Sequence, residues 1–177
     1  MQINGLSLDR PAHEDIDAVH AIYSDPRVWT HLPSGCHQER TTTATMVEYW
    51  MAGWERDGLS VWILRDSDGV VIGNAGCMIR ARTFWNLGYR LAWGTHGRGY
   101  ASAVSQAAVQ AATQHRPDLP VVAYMLEHNP ASARVAEKAG LRRQYRGPDA
   151  GNPDPQAVRL VYADRELTPE VLQAVLK

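Results

Sequence analysis

Apolar and polar positions alternate from Gly5 to Arg10, with Leu6 and Leu8 on one side of an extended chain and Pro11 as its stop. From Glu14 to Tyr23 the period lengthens: Ile16, Val19, Ile22 and Tyr23 share one face of a helix. Asp25-Pro26 breaks it and begins a loop that runs toward Pro33. Thr41 to Arg56 is again helical, with Met46, Val47, Trp50 and Trp54 in register. Two apolar, β-branched runs follow, Val61–Leu64 and Val70–Gly73, joined by the hairpin signature Asp66-Ser67-Asp68-Gly69. A further strand runs from Asn74 to Ile79, either separate or continuous with the one before it. Asn86–Leu91 and Val121–Leu126 are strands, the latter with the strongest buried character in the chain. Between them Ala103, Val104, Ala107, Ala108, Ala111 and Ala112 mark a helix from about Gly99 to His115, with Ser102, Gln106, Gln110 and Gln114 toward water. Asn129-Pro130 caps and opens another helix, which Gly140 ends. Leu141–Tyr145 and Ala157–Ala163 are closing strands, with a Gly-, Pro- and Asp-rich connection from Arg146 to Gln156. Thr168 caps a terminal helix whose Val171, Leu172, Val175 and Leu176 need a surface to cover.

The most informative turn is His96-Gly97-Arg98-Gly99-Tyr100-Ala101, which passes from strand to helix. Two glycines there leave the backbone uncovered, and the first N–H groups of a helix lack partners within it. Together with the positive end of the helix dipole, they suit a phosphate. A tight turn that needs glycine only for its backbone angles would have the same composition. No Gly-Lys-Ser/Thr follows, which excludes a Walker-type phosphate loop.

At 177 residues the chain is read as one domain, 1–177, large enough to bury a core. A net charge of −1 and the lack of Lys/Arg runs argue against a nucleic-acid partner. Cys36 and Cys77 are too few for a disulfide framework or a zinc site, so no metal is expected. Without a membrane-length apolar run or signal peptide, no membrane partner is expected and the expected compartment is the cytoplasm.

His96-Gly97-Arg98-Gly99-Tyr100-Ala101 resembles the acetyl-CoA pyrophosphate loop of the GNAT superfamily of N-acetyltransferases, Gln/Arg-x-x-G-x-G/A, departing at the first position. Leu87-Gly88-Tyr89-Arg90-Leu91 and Asn129-Pro130-Ala131-Ser132 … Glu137-Lys138-Ala139-Gly140-Leu141 resemble one branch of it, which contains the ribosomal-protein alanine acetyltransferases. The N-terminal strand, Arg-Pro, helix and Asp-Pro-x-Val order is similar too, so the resemblance covers nearly the whole chain. It implies an α/β (α+β) fold, with a mixed, mostly antiparallel sheet flanked by helices. Two neighbouring strands would splay apart to admit the cofactor. It also implies acetyl-CoA as acyl donor and a primary amine as acceptor, a peptide N-terminus or a small molecule, and it leaves room for a homodimer.

By this resemblance the backbone of Tyr89, Arg90 and Leu91 would pair with pantetheine, and His96, Gly97, Arg98, Gly99, Tyr100 and Ala101 would hold the pyrophosphate. Asn129 would cap its helix beside the cofactor. Many members place a Tyr, donor of a proton to the leaving thiolate, where this chain has Ala136; Ser132, one helical turn earlier, shares that face and is the candidate for the same task. The branch has a carboxylate where this chain has Asn86, which cannot accept a proton. Glu127 and His128 are the candidate bases. Trp29, His31, Trp50, Trp54 and Trp85 are read mainly as core, with one or two lining the acceptor site. A reading from another class, suggested by Ala136 and Asn86, is a catalytically silent acyl-CoA-binding module. A third is partner binding by the terminal helix.

Overall fold

The computed structural model describes residues 1–150 and 152–177. Gly151, inside the connection expected from Arg146 to Gln156, lies outside the described residues. The first hairpin is β1 (Gln2–Ile3) and β2 (Leu6–Asp9), followed by α1 (Ile16–Tyr23) and α2 (Arg40–Asp57). Then come β3 (Val61–Arg65), β4 (Val71–Arg80) and β5 (Phe84–Leu91). The rest is α3 (Tyr100–His115), β6 (Val121–Leu126), α4 (Pro130–Lys138), β7 (Arg142–Pro148), β8 (Val158–Ala163) and α5 (Pro169–Leu176).

Among the described residues these strands form one eight-stranded sheet in the order β1-β2-β3-β4-β5-β6-β8-β7. Every neighbouring pair is antiparallel except β5 and β6. That parallel pair is joined only at Trp85↔Val121 and Asn86↔Val122. Beyond Asn86 the two strands part, and the expected splay is present.

The alternation along the strands sorts the core into two layers. Trp85, Leu87 and Leu91 of β5 join Ala75 and Cys77 of β4 beneath α3, where Val104, Ala108 and Ala112 are fully buried. With alanine at the contact the helix backbone comes close enough for the Cys77 thiol to donate to the Ala108 carbonyl at 3.5 Å. On the opposite face Val61 and Ile63 pack with Ile16, Val19, Val47 and Trp50 of α1 and α2. A third cluster of Phe84, Val122, Val161 and Ala163 receives Val175 of α5. Full burial of one such valine stabilises by roughly 1.5–3 kcal/mol, so the terminal helix has its surface within the chain.

Of the two readings left open for Asn74 to Ile79 the continuous one holds: Val71 to Arg80 is a single strand, paired with β5 from Gly73 to Arg80. One expectation needs correction. The connection expected to start at Arg146 is strand as far as Pro148, because Arg146, Gly147 and Pro148 find partners in Leu160, Arg159 and Val158. The segment between α1 and α2 is also more ordered than a plain loop: 3-10 turns occupy Pro26–Trp29 and Pro33–Gly35. Asp25 caps the first of them by accepting from the Arg27 N–H at 2.9 Å. The Trp29 indole donates to the Tyr23 carbonyl at 2.7 Å, which ties the segment to α1. Among the described residues no helix is long and apolar enough to cross a membrane.

Candidate active site

The parting of β5 and β6 opens a cleft with two arms. One, about 490 Å³, runs to the start of α3 and is lined by His96, Gly97, Gly99, Tyr100, Ala101 and Ser102, and by Arg134 and Lys138 of α4. The other, about 380 Å³, lies between the parted strands and is lined by Asn86, Leu87, Gly88, Ala123, Tyr124 and Ala136. His31, Tyr89, Arg90, Asn129 and Ser132 line both, so the arms meet at these residues.

The first arm ends in unpaired donors. Among the described residues the N–H groups of Gly97, Arg98 and Gly99 have no backbone acceptor, and no side chain caps α3. Gly97 and Gly99 each adopt φ of 79°, the left-handed region that favours glycine, and a Cβ at either position would meet nothing within 4 Å. The space a side chain would fill thus lies open over a helix N-terminus, which is what an approaching phosphate needs. The His96 ring folds back to the Leu91 carbonyl, with Nε2 at 3.1 Å, and so fixes the turn. Arg98 is exposed and does not line the arm, so its side chain is not brought to the site. Arg134 and Lys138, which the sequence reading did not single out, are; their spacing of one helical turn was the available signal.

At the junction the Asn129 side chain accepts from the Ser132 N–H at 3.2 Å, capping α4 and holding Ser132 at the cleft. The Tyr89 hydroxyl donates to Ser132 Oγ at 3.1 Å. This pair was not foreseen. Its signal was alternation, which puts Tyr89 on the α3–α4 side with Leu87 and Leu91. Burial pushes the Tyr89 phenol above its usual range, although the bond to Ser132 and the charge of Arg90 oppose the shift. The hydroxyl therefore keeps its proton at neutral pH.

Arg90, the next residue, faces the other side of the sheet. Its Nη1 donates to the Val28 carbonyl at 2.9 Å and its guanidinium carbon sits 3.7 Å from the centre of the Trp29 ring. His31 lies 3.5 Å from the same Nη1, and burial, with the charges of Arg90 and His128, pulls its pKa below the ordinary 6.5. Trp29, Trp50, Trp54 and Trp85 are core; of the aromatic candidates His31 is the one that lines the cleft.

Glu127 departs from its expected place. It is exposed, lines neither arm, and is held by Arg146 of β7 through bonds of 2.6 and 2.9 Å. That guanidinium lowers its carboxyl pKa, which makes it a poorer base. His128 does line the first arm, and its Nε2 lies 2.8 Å from the His31 carbonyl. Asp149 is the carboxylate that lines the cleft among the described residues, and it is paired with Arg159. Among the described residues no group of three or more His, Cys, Asp or Glu is placed to hold a metal ion.

Comparison with known proteins bears on this arrangement. Residues 6–142 match the family model described as "Acetyltransferase (GNAT) domain". YkkB of Bacillus subtilis (strain 168) is 30% identical over 128 residues, which is 68% of this chain and 71% of that protein. An acetyltransferase structure from Agrobacterium tumefaciens str. C58 superposes with a TM-score of 0.75 at 26% identity, covering 94% of each chain. RimL, a ribosomal L7/L12 alpha-N-protein acetyltransferase solved in complex with coenzyme A, superposes with a TM-score of 0.76 at 17% identity, over 94% of this chain and 98% of that one. A fold with one parallel strand pair parted above a glycine turn, and a family match over most of the chain, lead to one assignment: this protein belongs to the acetyltransferase (GNAT) domain family.

Proposed function

We propose that this chain transfers the acetyl group of acetyl-CoA to a primary amine, a peptide N-terminus or a small molecule, by direct attack on the thioester. The observation that carries the reading is the open turn at Gly97–Gly99, with its unpaired N–H groups at the start of α3. The coenzyme A present in the RimL structure supports the same choice of donor. Acetyl-CoA supplies an acyl group already activated as a thioester, so the protein has to bind, orient and manage protons. The turn residues from His96 to Ala101 would hold the pyrophosphate, with Arg134 and Lys138 adding positive charge. The backbone of Tyr89 to Leu91, left without a β6 partner, would pair with the pantetheine.

In the reaction the amine nitrogen bonds to the acetyl carbon, the carbon–sulfur bond breaks, the nitrogen loses a proton and the thiolate gains one. Ser132 is assigned the second proton, with Tyr89 behind it as the neutral hydroxyl that replenishes it. For the first, the cleft holds no carboxylate outside an ion pair among the described residues, and Glu127 faces away. His128, which lines the first arm, is the remaining candidate, and an amine that arrives neutral, a form favoured by the nearby charge of Arg90, needs no strong base.

The lack of a free carboxylate, with Ala136 and Asn86 in the cleft, supports a second reading, an acyl-CoA-binding module without turnover. Release of coenzyme A from acetyl-CoA over a panel of peptides and small amines, corrected for hydrolysis, separates the two. Acetylated amine supports transfer, and coenzyme A binding without any product supports the module.

A further inference from the structure

Among the described residues half of the arginines pair with a carboxylate, and most of the others lie exposed. Arg27, Arg40, Arg65, Arg146 and Arg159 are among the paired. Arg90 does neither. Among the described residues no Asp or Glu reaches its guanidinium. Its neighbours are a backbone carbonyl, the Trp29 ring, the His31 imidazole and the Tyr23 phenol. Its Nε is closed off from solvent and has no hydrogen-bond partner. A charge held away from water is ordinarily compensated by an ion or by full hydrogen bonding, and this one is left short of both. Arg90 lines both arms of the cleft, and its guanidinium lies against Val28 and Trp29, on the side covered by the segment between α1 and α2.

We infer that the acceptor is a small primary amine that carries its own carboxylate, and that Arg90 receives that carboxylate. The inference rests on the acetyl-transfer reading and names its substrate class. With Nη1 held by the Val28 carbonyl and Nε closed off, Nη2 would meet the carboxylate in a charge-assisted hydrogen bond and fix the amine's direction toward the thioester. It also acts on the amine's proton. A neighbouring carboxylate holds an ammonium group protonated, and pairing with Arg90 releases that hold. Size is set by the contact of His128 Nε2 with the His31 carbonyl at 2.8 Å, which ties the start of α4 to the α1–α2 segment across the cleft. An amino acid fits under such a tie more readily than a continuing peptide chain.

The test compares free L-amino acids with their own α-amides as acceptors, at saturating acetyl-CoA and pH 7. Intrinsic reactivity favours the amides, whose amines are less basic and more often neutral. The inference expects the reverse, with kcat/KM higher for the acid by about 10- to 100-fold, the worth of a charge-assisted hydrogen bond made away from water. Arg90→Met, which keeps a long apolar side chain over Trp29, should lower kcat/KM for the acids by a similar factor and for the amides by distinctly less, since they lose only the nearby charge that favours the neutral amine. Equal use of acid and amide by the unaltered protein overturns the inference, as does an equal effect of Arg90→Met on both. The first comparison needs no variant, so a misfolded Arg90→Met protein does not obscure it. Peptides used better than any free amino acid overturn the small-acceptor assignment. Turnover confined to amines without carboxylates removes the inference and leaves acetyl transfer standing. Coenzyme A binding without turnover of any amine removes both.

Discussion

Replacing Gly99 by Val separates the turn's role in folding from its role in binding. Gly99 has φ of 79°, and a Cβ there meets no protein atom within 4 Å, so the substitution brings backbone strain without a clash. A side chain in the left-handed region costs about 1–2 kcal/mol. In a chain of this length 1 kcal/mol moves the melting temperature by roughly 2–4 °C, so the free variant should melt about 2–8 °C lower. Gly69 is a matched control: its φ is 80°, its Cβ would also meet nothing, and it sits in the β3–β4 turn away from the cleft. Gly69→Val should lose a similar amount. The two should part when coenzyme A is added. At a hundred times its dissociation constant a ligand adds about 2.7 kcal/mol, or roughly 5–11 °C here. Unaltered protein and Gly69→Val should both show that rise in a thermal unfolding scan, and Gly99→Val should show none. A folded Gly99→Val protein with the full rise would mean that the turn is only a turn.

Ser132→Ala should slow single-turnover acetyl transfer by on the order of a hundredfold, with little change in coenzyme A affinity, and Tyr89→Phe should slow it less; an unchanged rate in Ser132→Ala would return that hydroxyl to a capping role. Among amines, α-amino groups should outcompete lysine side chains at pH 7, since roughly a tenth of the former and about one part in a few thousand of the latter are neutral. A matched pair of peptides, one with only a free N-terminus and one with only a free lysine, measures this. Preference for the lysine peptide would show that a base in the cleft, His128 first, takes the amine's proton. Stability should fall as pH drops below about 6.5, because His31 and His37 are held below their ordinary pKa by burial and by neighbouring positive charge. The unfolded chain then binds protons that the folded one does not. His31→Gln should flatten that slope in urea titrations, and an unchanged slope would contradict the assignment. Asp15→Ala should cost about 3 kcal/mol in the same assay, since Asp15 is 2% exposed and partnered by Arg65 and the Ala12 N–H. A loss under about 1 kcal/mol would show that the pair contributes no more than a surface one.

The sequence was most legible where short-range chemistry decides structure. The Asn129 cap, the Asp66–Gly69 hairpin turn and the alanine face of α3 are local patterns, and the structure has all of them. It was least legible where a distant partner decides. Arg146 to Pro148 become strand because β8 lies beside them, and Glu127 loses its place in the cleft because β7 brings Arg146 to it. Tyr89 was read for its backbone, and only the docking of α4 brings Ser132 Oγ to its hydroxyl. Arg90 carried no signal of its isolation, since a missing partner is a property of the whole fold.

The most direct measurement is a single turnover with acetyl-CoA labelled in its acetyl group, the products being followed by mass spectrometry with and without an acceptor amine. The account predicts N-acetylated amine and free coenzyme A in equal amounts, with no label on the protein when the amine is left out. Free coenzyme A with labelled acetate alone, or label retained on the protein, would contradict it.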